Sequence, residues 1–243
     1  MIVVFAIDAL EYNLVEEFNC LNLKQEFYGK TDISEFSQPR TMVLWSSFMT
    51  GQNKEKEVLM EGNKEMWNKR WDLKETFFSQ FQKPLILDLP GYSYNLEVHE
   101  KSRKDLKKFF EAQSPEEKEA IRKEYNQDAF THHRKIKEQF LQALNQDHDL
   151  ILGYFSIADV IGHLNFGNKL MMKMIYQDLN DIAAEIRKKE NTKIIILSDH
   201  GMQAIGQFGD HSDYGFWSTN FQELKNPKIT DFYHIITKCL STP

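Results

Sequence analysis

The 243 residues are 41% hydrophobic and 27% charged with a formal net charge of −6, which suits one large α/β domain over residues 1–243 and gives no basic face for a nucleic-acid polymer or an anionic membrane. Two distant cysteines, Cys20 and Cys239, exclude a thiolate zinc motif or a disulfide framework, and a reducing, cytoplasmic location is expected. The opening apolar run is broken by Asp8 and has no basic lead, so it does not read as a signal peptide, and no stretch approaches the roughly 20 apolar residues that span a bilayer.

Ile2 to Ile7 is an apolar run that predicts a buried strand ending on Asp8. Leu10, Leu14, Val15 and Phe18 then keep helical spacing. A loop is expected to carry Gly29, Thr31, Asp32 and Ser37 to Pro39. Val43, Leu44, Phe48 and Met49 predict a short helix from Thr41 to Thr50, closed by Gly51. Residues 52–64 read as polar loop, and Trp67 to Phe81 as helical or mixed. Pro84 to Leu89 is a second strand candidate, followed by the turn Pro90-Gly91.

Residues 99–147 are highly charged and mostly helical, with Ser114-Pro115-Glu116-Glu117 as a capping box. They would form either an insertion near the site mouth or crossover helices. His132 and His133 would lie on its solvated face, and His99, His148 and His234 have no acidic partner at ligand spacing. Leu150 to Phe155 is a third strand, residues 169–189 a long amphipathic helix, and 193–198 a fourth strand rich in β-branched residues. His211 falls in a glycine-bounded loop, and a helix near 230–240, capped by Thr230, closes the chain. Alternating strands and helices predict a three-layer α/β sandwich with a largely parallel sheet.

The expected strand ends deliver Asp8, Asp159 and Asp199, and three histidines accompany them: His163, His200 and His211. Ligands bind beyond the carboxyl ends of strands in open α/β sheets. Asp159 and His163 are four apart, so one helical turn places both on one face. Six such ligands suit two zinc ions with three each. Three carboxylates against two divalent ions leave a formal +1, a field that favours phosphate. Thr41 is the candidate nucleophile, needing a metal or base to activate it, and it would equally serve as an ordinary N-cap.

These residues resemble the alkaline phosphatase superfamily, and most closely its nucleotide pyrophosphatase/type I phosphodiesterase branch. Asp8 matches the first-strand aspartate. Thr41 matches the nucleophilic threonine, with Thr50-Gly51 at the family spacing. Asp159-Val160-Ile161-Gly162-His163 is similar to its Asp-x-x-Gly-His, Ser198-Asp199-His200-Gly201-Met202 matches its Ser-Asp-His-Gly-Met, and His211 matches its last histidine. The chain departs from the family pattern in having Met42-Val43-Leu44, without proline, after the threonine.

The resemblance implies an alkaline-phosphatase-like fold and a phosphoric ester hydrolase working through a phosphothreonine on two divalent ions, Zn2+ or else Mn2+. One ion would take Asp159, His163 and His211. The other would take Asp8, Asp199, His200 and Thr41. Asn63 stands near the place of the phosphate-binding asparagine. Of the pair that grips a nucleotide base, Tyr154 keeps the tyrosine and Met42 replaces the aromatic. The expected partner is a small phosphate ester, a diester before a monoester or phosphonate, with no polymer or membrane involved. A non-catalytic domain that binds metal and phosphate is the alternative of another class.

Overall fold

The computed structural model describes residues 1–60 and 62–240, apart from the side chains of Asn63 and Lys64. Its elements in chain order are β1 (Ile2–Ile7), α1 (Tyr12–Glu17), β2 (Phe27–Asp32), α2 (Thr41–Thr50), α3 (Glu55–Leu59), α4 (Gly62–Glu65), β3 (Pro84–Leu87), α5 (Leu96–Glu111) and α6 (Pro115–Ala143), with short 3-10 turns between α4 and β3. Then follow β4 (Leu150–Phe155), α7 (Ile157–Asn165), α8 (Lys169–Arg187), β5 (Lys193–Leu197), β6 (Met202–Ile205), β7 (Phe208–His211), β8 (Tyr214–Thr219) and α9 (Asp231–Lys238).

A six-stranded sheet in the order β2-β8-β5-β1-β4-β3 forms the middle layer. It is mostly parallel. Only β8 runs against its neighbours, β5 and β2. β1 lies at the centre and is buried at every residue, which is what its unbroken apolar run requires. Its alternate side chains feed two cores. Ile2, Val4 and Ala6 pack under α2 and α9. Val3, Phe5 and Ile7 pack with residues of α6, α7 and α8 on the other face. This is the three-layer arrangement expected.

Register decides where the chemistry collects. Ile7 pairs with Phe155, and Ala6 with Leu197. The three parallel strands therefore end at one level, and Asp8, Asp159 and Asp199 emerge side by side beyond their carboxyl ends.

Several elements differ from the sequence reading. The stretch expected as a loop from Gly29 contains β2, whose exposed positions mask it as polar chain until β8 supplies a partner. Residues 52–64 carry the short helices α3 and α4. His211 ends a strand, not a loop, in a β6–β7 hairpin turned at Gly206 with φ 63°. The Thr230 side chain caps nothing and instead donates to Glu35 Oε1 at 3.1 Å. Gly51 closes α2 as expected, at φ 69°. A Cβ there would come within 2.9 Å of two Tyr233 carbons.

Candidate active site

Asp8 follows β1, Asp159 lies in the first turn of α7, and Asp199-His200 form the turn after β5. Hairpin β6–β7 folds back to bring His211 opposite them. The fold permits this because Gly162 has no side chain: a Cβ there would sit 2.1 Å from Met202 Sδ. The glycine of the Asp-x-x-Gly-His stretch is thus a packing requirement between α7 and the hairpin, whereas its aspartate and histidine face the site.

Asp159 Oδ1 lies 3.3 Å from His163 Nε2 and 3.2 Å from His211 Nε2. His200 Nε2 lies 3.3 Å from Asp8 Oδ1, 3.4 Å from Asp199 Oδ2 and 3.4 Å from Thr41 Oγ1. All six expected ligands and Thr41 are thus brought together. The donor atoms of Asp8, Asp199 and His200 form one compact group, and those of Asp159, His211 and His200 another, so His200 stands between them.

The hydrogen bonding indicates what this cluster awaits. Each imidazole has Nδ1 against a backbone carbonyl: Gly209 at 3.2 Å for His163, Gly201 at 3.0 Å for His200 and Pro39 at 2.7 Å for His211. A carbonyl only accepts, so Nδ1 carries the proton and Nε2 turns a bare lone pair inward. Metal-binding histidines are held in this way. The carboxylates match them. Asp8 Oδ1, Asp159 Oδ1, both Asp199 oxygens and His211 Nε2 are buried without a hydrogen-bond partner. Lone pairs facing lone pairs in a dry site are repulsive unless a cation or protons intervene. The donor set fits divalent metal ions.

Without such ions, protons take their place. Burial and the charge of Asp159 push the Asp8 carboxyl up to about 7. Burial and Asp8 hold Asp199 well above the carboxylate range. Burial pushes the His163 imidazole down, but Asp159 outweighs it and lifts it to about 9. Burial keeps His200 neutral, well below its ordinary value.

Thr41 is the first residue of α2. Arg40 occupies the cap position, and no side chain caps the helix. The ordinary N-cap role is therefore not the one Thr41 plays. The first amides of α2 have no side-chain cap, and the helix starts at Thr41 on the cavity wall, as in anion-binding helix ends.

Tyr154 donates its hydroxyl to Asp8 Oδ2. Its ring is 1% exposed, and Met42, in the core, is 0% exposed. The side chain of Asn63 lies outside the described residues.

A cavity of about 280 Å³ opens beside Thr41, Asp8 and Asp159, and its far wall comes from α5 and α6, including Arg103, Leu106 and Tyr125. The charged segment therefore packs at the site mouth. That is one of the two placements expected for it, although the sequence singled out none of the wall residues, and sequence reasoning missed Glu11. That buried carboxylate accepts from the amides of Asn13 at 3.0 Å and Met202 at 3.1 Å, pinning the turn that carries Asp199 and His200.

Two histidines read as solvated are in fact buried or nearly so, and His99 joins them. His99 and His132 approach Asp88 Oδ2 at 2.8 and 2.6 Å, and His133 approaches Asp178 at 2.7 Å. Burial pushes the Asp88 carboxyl up, but hydrogen bonds from His132 and His99 outweigh it and bring it down to about 2. These are short, satisfied hydrogen bonds, unlike the unpartnered contacts at 3.2–3.4 Å around Asp159 and His200. The Asp88 group ties α5 and α6 to the end of β3.

A comparison with curated protein sequences finds no match. Among solved structures the chain is similar to the alkaline phosphatase of the Antarctic bacterium TAB5, at 13% identity and TM-score 0.55, over 100% of this chain and 98% of that one. It is also similar to the PH0037 protein of Pyrococcus horikoshii, at 10% identity and TM-score 0.51, over 99% and 96%. Murine ectonucleotide pyrophosphatase/phosphodiesterase 5 aligns at 13% identity and TM-score 0.47, over 85% of this chain, which spans 58% of its length. Among the described residues no helix is long and apolar enough to cross a membrane. Residues 2–216 match the family described as type I phosphodiesterase/nucleotide pyrophosphatase, and the chain belongs to that family.

Proposed function

We propose that the chain hydrolyses small phosphate diesters or phosphoanhydrides, with Thr41 as nucleophile and two divalent ions, Zn2+ in the leading reading. Asp159, His163 and His211 would hold one ion, and Asp8, Asp199 and His200 the other. The observation that carries this is the convergence of three inward Nε2 lone pairs and the unpartnered Asp8, Asp159 and Asp199 oxygens beside a hydroxyl at an uncapped helix N-terminus. Bound divalent ions would offset the charge of the phosphate and favour the ionised form of the attacking hydroxyl.

The residues of the chain do the rest. The first amides of α2 orient a phosphate oxygen. Thr41 Oγ1 gives up its proton, which ends on the departing oxygen, and forms a bond to phosphorus as the bond to that leaving oxygen breaks, releasing an alcohol or nucleotide and leaving a phosphothreonine that still carries the second ester group. Water then attacks that phosphorus, restoring the threonine hydroxyl and releasing the second product. Tyr154 holds Asp8 by its hydroxyl, and Glu11 fixes the Asp199-His200 turn.

The test is turnover of bis(p-nitrophenyl) phosphate and p-nitrophenyl phosphate by metal-loaded protein. A higher kcat/KM for the diester is expected. A higher value for the monoester would overturn the ordering and favour a phosphomonoesterase at the same site. Turnover of neither, with both ions bound, would leave a non-catalytic binding domain.

A further inference from the structure

The cavity beside Thr41 holds one cation whose environment differs from that of its neighbours. Helix α5 carries Lys101, Arg103, Lys104, Lys107 and Lys108. Lys101, Lys104, Lys107 and Lys108 each pair with a carboxylate. Arg103 makes no ion pair among the described residues, although carboxylates are plentiful on α5 and α6. Its guanidinium instead lies 4.1 Å over the Trp67 ring, and both residues line the cavity.

The arrangement under Arg103 is built rather than incidental. Trp67 stacks on Tyr94 at 6.0 Å and 19°, and Tyr94 stacks on His99 at 4.0 Å and 10°. The Asp88 hydrogen bond anchors His99. Arg70 donates to the carbonyls of Trp67 and Tyr94 at 3.1 and 3.3 Å, fixing the loop that carries the indole. A guanidinium lying on a fixed aromatic face is spared much of the entropy an arginine normally loses, and its fork suits bidentate capture of an oxyanion.

The volume limits the ligand. About 280 Å³ is at the small end of ligand sites. It has room for a compact organic group beyond the phosphate, against Trp67, Leu106 and Val160, but not for an extended chain.

We infer that Arg103, stacked on Trp67, is a specificity residue for a second anionic group, so that this site selects small phosphodiesters whose organic part is flat and carries a carboxylate or a phosphate. This inference rests on the hydrolase reading for its kinetics but not for its binding. Of the positions at which the resemblance places a base-gripping pair, Met42 is buried in the core and away from the cavity, while Tyr154 lines it with its hydroxyl committed to Asp8, so the charged discrimination falls to the α5 wall.

The test uses three p-nitrophenyl phosphodiesters whose second group is phenyl, 4-carboxyphenyl or 4-phosphonophenyl. Non-cleavable phosphonate analogues of the same three are titrated calorimetrically against the metal-loaded protein. Charged members are expected to bind and react about tenfold better than the phenyl member, the scale of one charge-assisted hydrogen-bonded contact. The R103M variant should lose that preference, and R103K should recover part of it. The carboxylate and phosphonate arms tell which anion is preferred. Equal binding and turnover across the three, or an equal loss for all three in R103M, overturns the inference and leaves the hydrolase reading standing. No turnover of any member, with charged analogues still bound more tightly in an Arg103-dependent way, overturns the hydrolase reading and supports the subsite.

Discussion

Replacing Thr41 by alanine separates binding from catalysis, and the structure sets both magnitudes. The side chain is 6% exposed, and its hydroxyl caps no helix end. Among the described residues its hydroxyl approaches His200 Nε2 at 3.4 Å. Alanine therefore removes a buried methyl, a loss of about 0.8 kcal/mol. It gains about 0.5 kcal/mol in helix propensity at the start of α2. The net change in stability should stay within about 1 kcal/mol, a shift in Tm of roughly 2–4 °C for a chain of this size. Asp8, Asp199 and His200 keep their donor atoms, so metal content should not change. Loss of a nucleophile is far larger: turnover should fall by about a thousandfold or more, some 4 kcal/mol on the barrier. The assay pairs metal analysis and thermal melting with bis(p-nitrophenyl) phosphate hydrolysis, and mass spectrometry of quenched wild-type reactions looks for a p-nitrophenyl ester of phosphothreonine at position 41. A folded, metal-loaded T41A protein within about tenfold of wild-type rate would refute the covalent route, since an effect that small is one that positioning can supply. Direct attack by water would then be the better account.

Two further outcomes follow from the same geometry. Tyr154→Phe deletes the hydroxyl that donates to Asp8 Oδ2 and lowers its pKa, so Asp8 should hold its proton to higher pH and zinc affinity should drop about 10- to 100-fold; unchanged affinity by calorimetry would show that the bond positions nothing. In metal-free protein, Asp8 is raised from 3.8 to about 7 and His163 from 6.5 to about 9, so each contributes stability that is complete below the lower value and lost as pH rises through the higher. His200, held neutral by burial, runs the other way, gaining as pH rises through the ordinary histidine range. Added zinc replaces the protons on Asp8 and His163, so the rise in Tm it produces should be larger at pH 8 than at pH 5; an equal rise at both would mean that these groups do not compete with the metal.

What could be read from the sequence was whatever depends on local spacing. Ile2–Ile7, Leu150–Phe155 and Lys193–Leu197 are runs that only a strand covered on both faces can use, and each is followed by its acid. Thr41 through Gly51 reads as a capped helix because the apolar spacing and the positive-φ glycine are adjacent in the chain. Asp159 and His163 share a face because a helical turn is 3.6 residues. These features determine the strand ends, the three-layer class and the residue types at the site.

Tertiary structure decided everything that depends on partners distant in sequence. β2 has polar, half-exposed positions and becomes a strand only beside β8, 182 or more residues away. His132 lies in a run of charged helix, and nothing local announces that Asp88, 44 positions earlier, will bury it. Tyr154, which motif position assigns to a nucleobase, lines the cavity and also donates to Asp8, a contact set by the register of β1 against β4. Arg103 is one basic residue among five on α5 until the fold lays it over Trp67. Backbone spacing is a property of neighbours along the chain and can be read from them. Desolvation and charge pairing are properties of neighbours in space, and only the packed chain determines which residues those are.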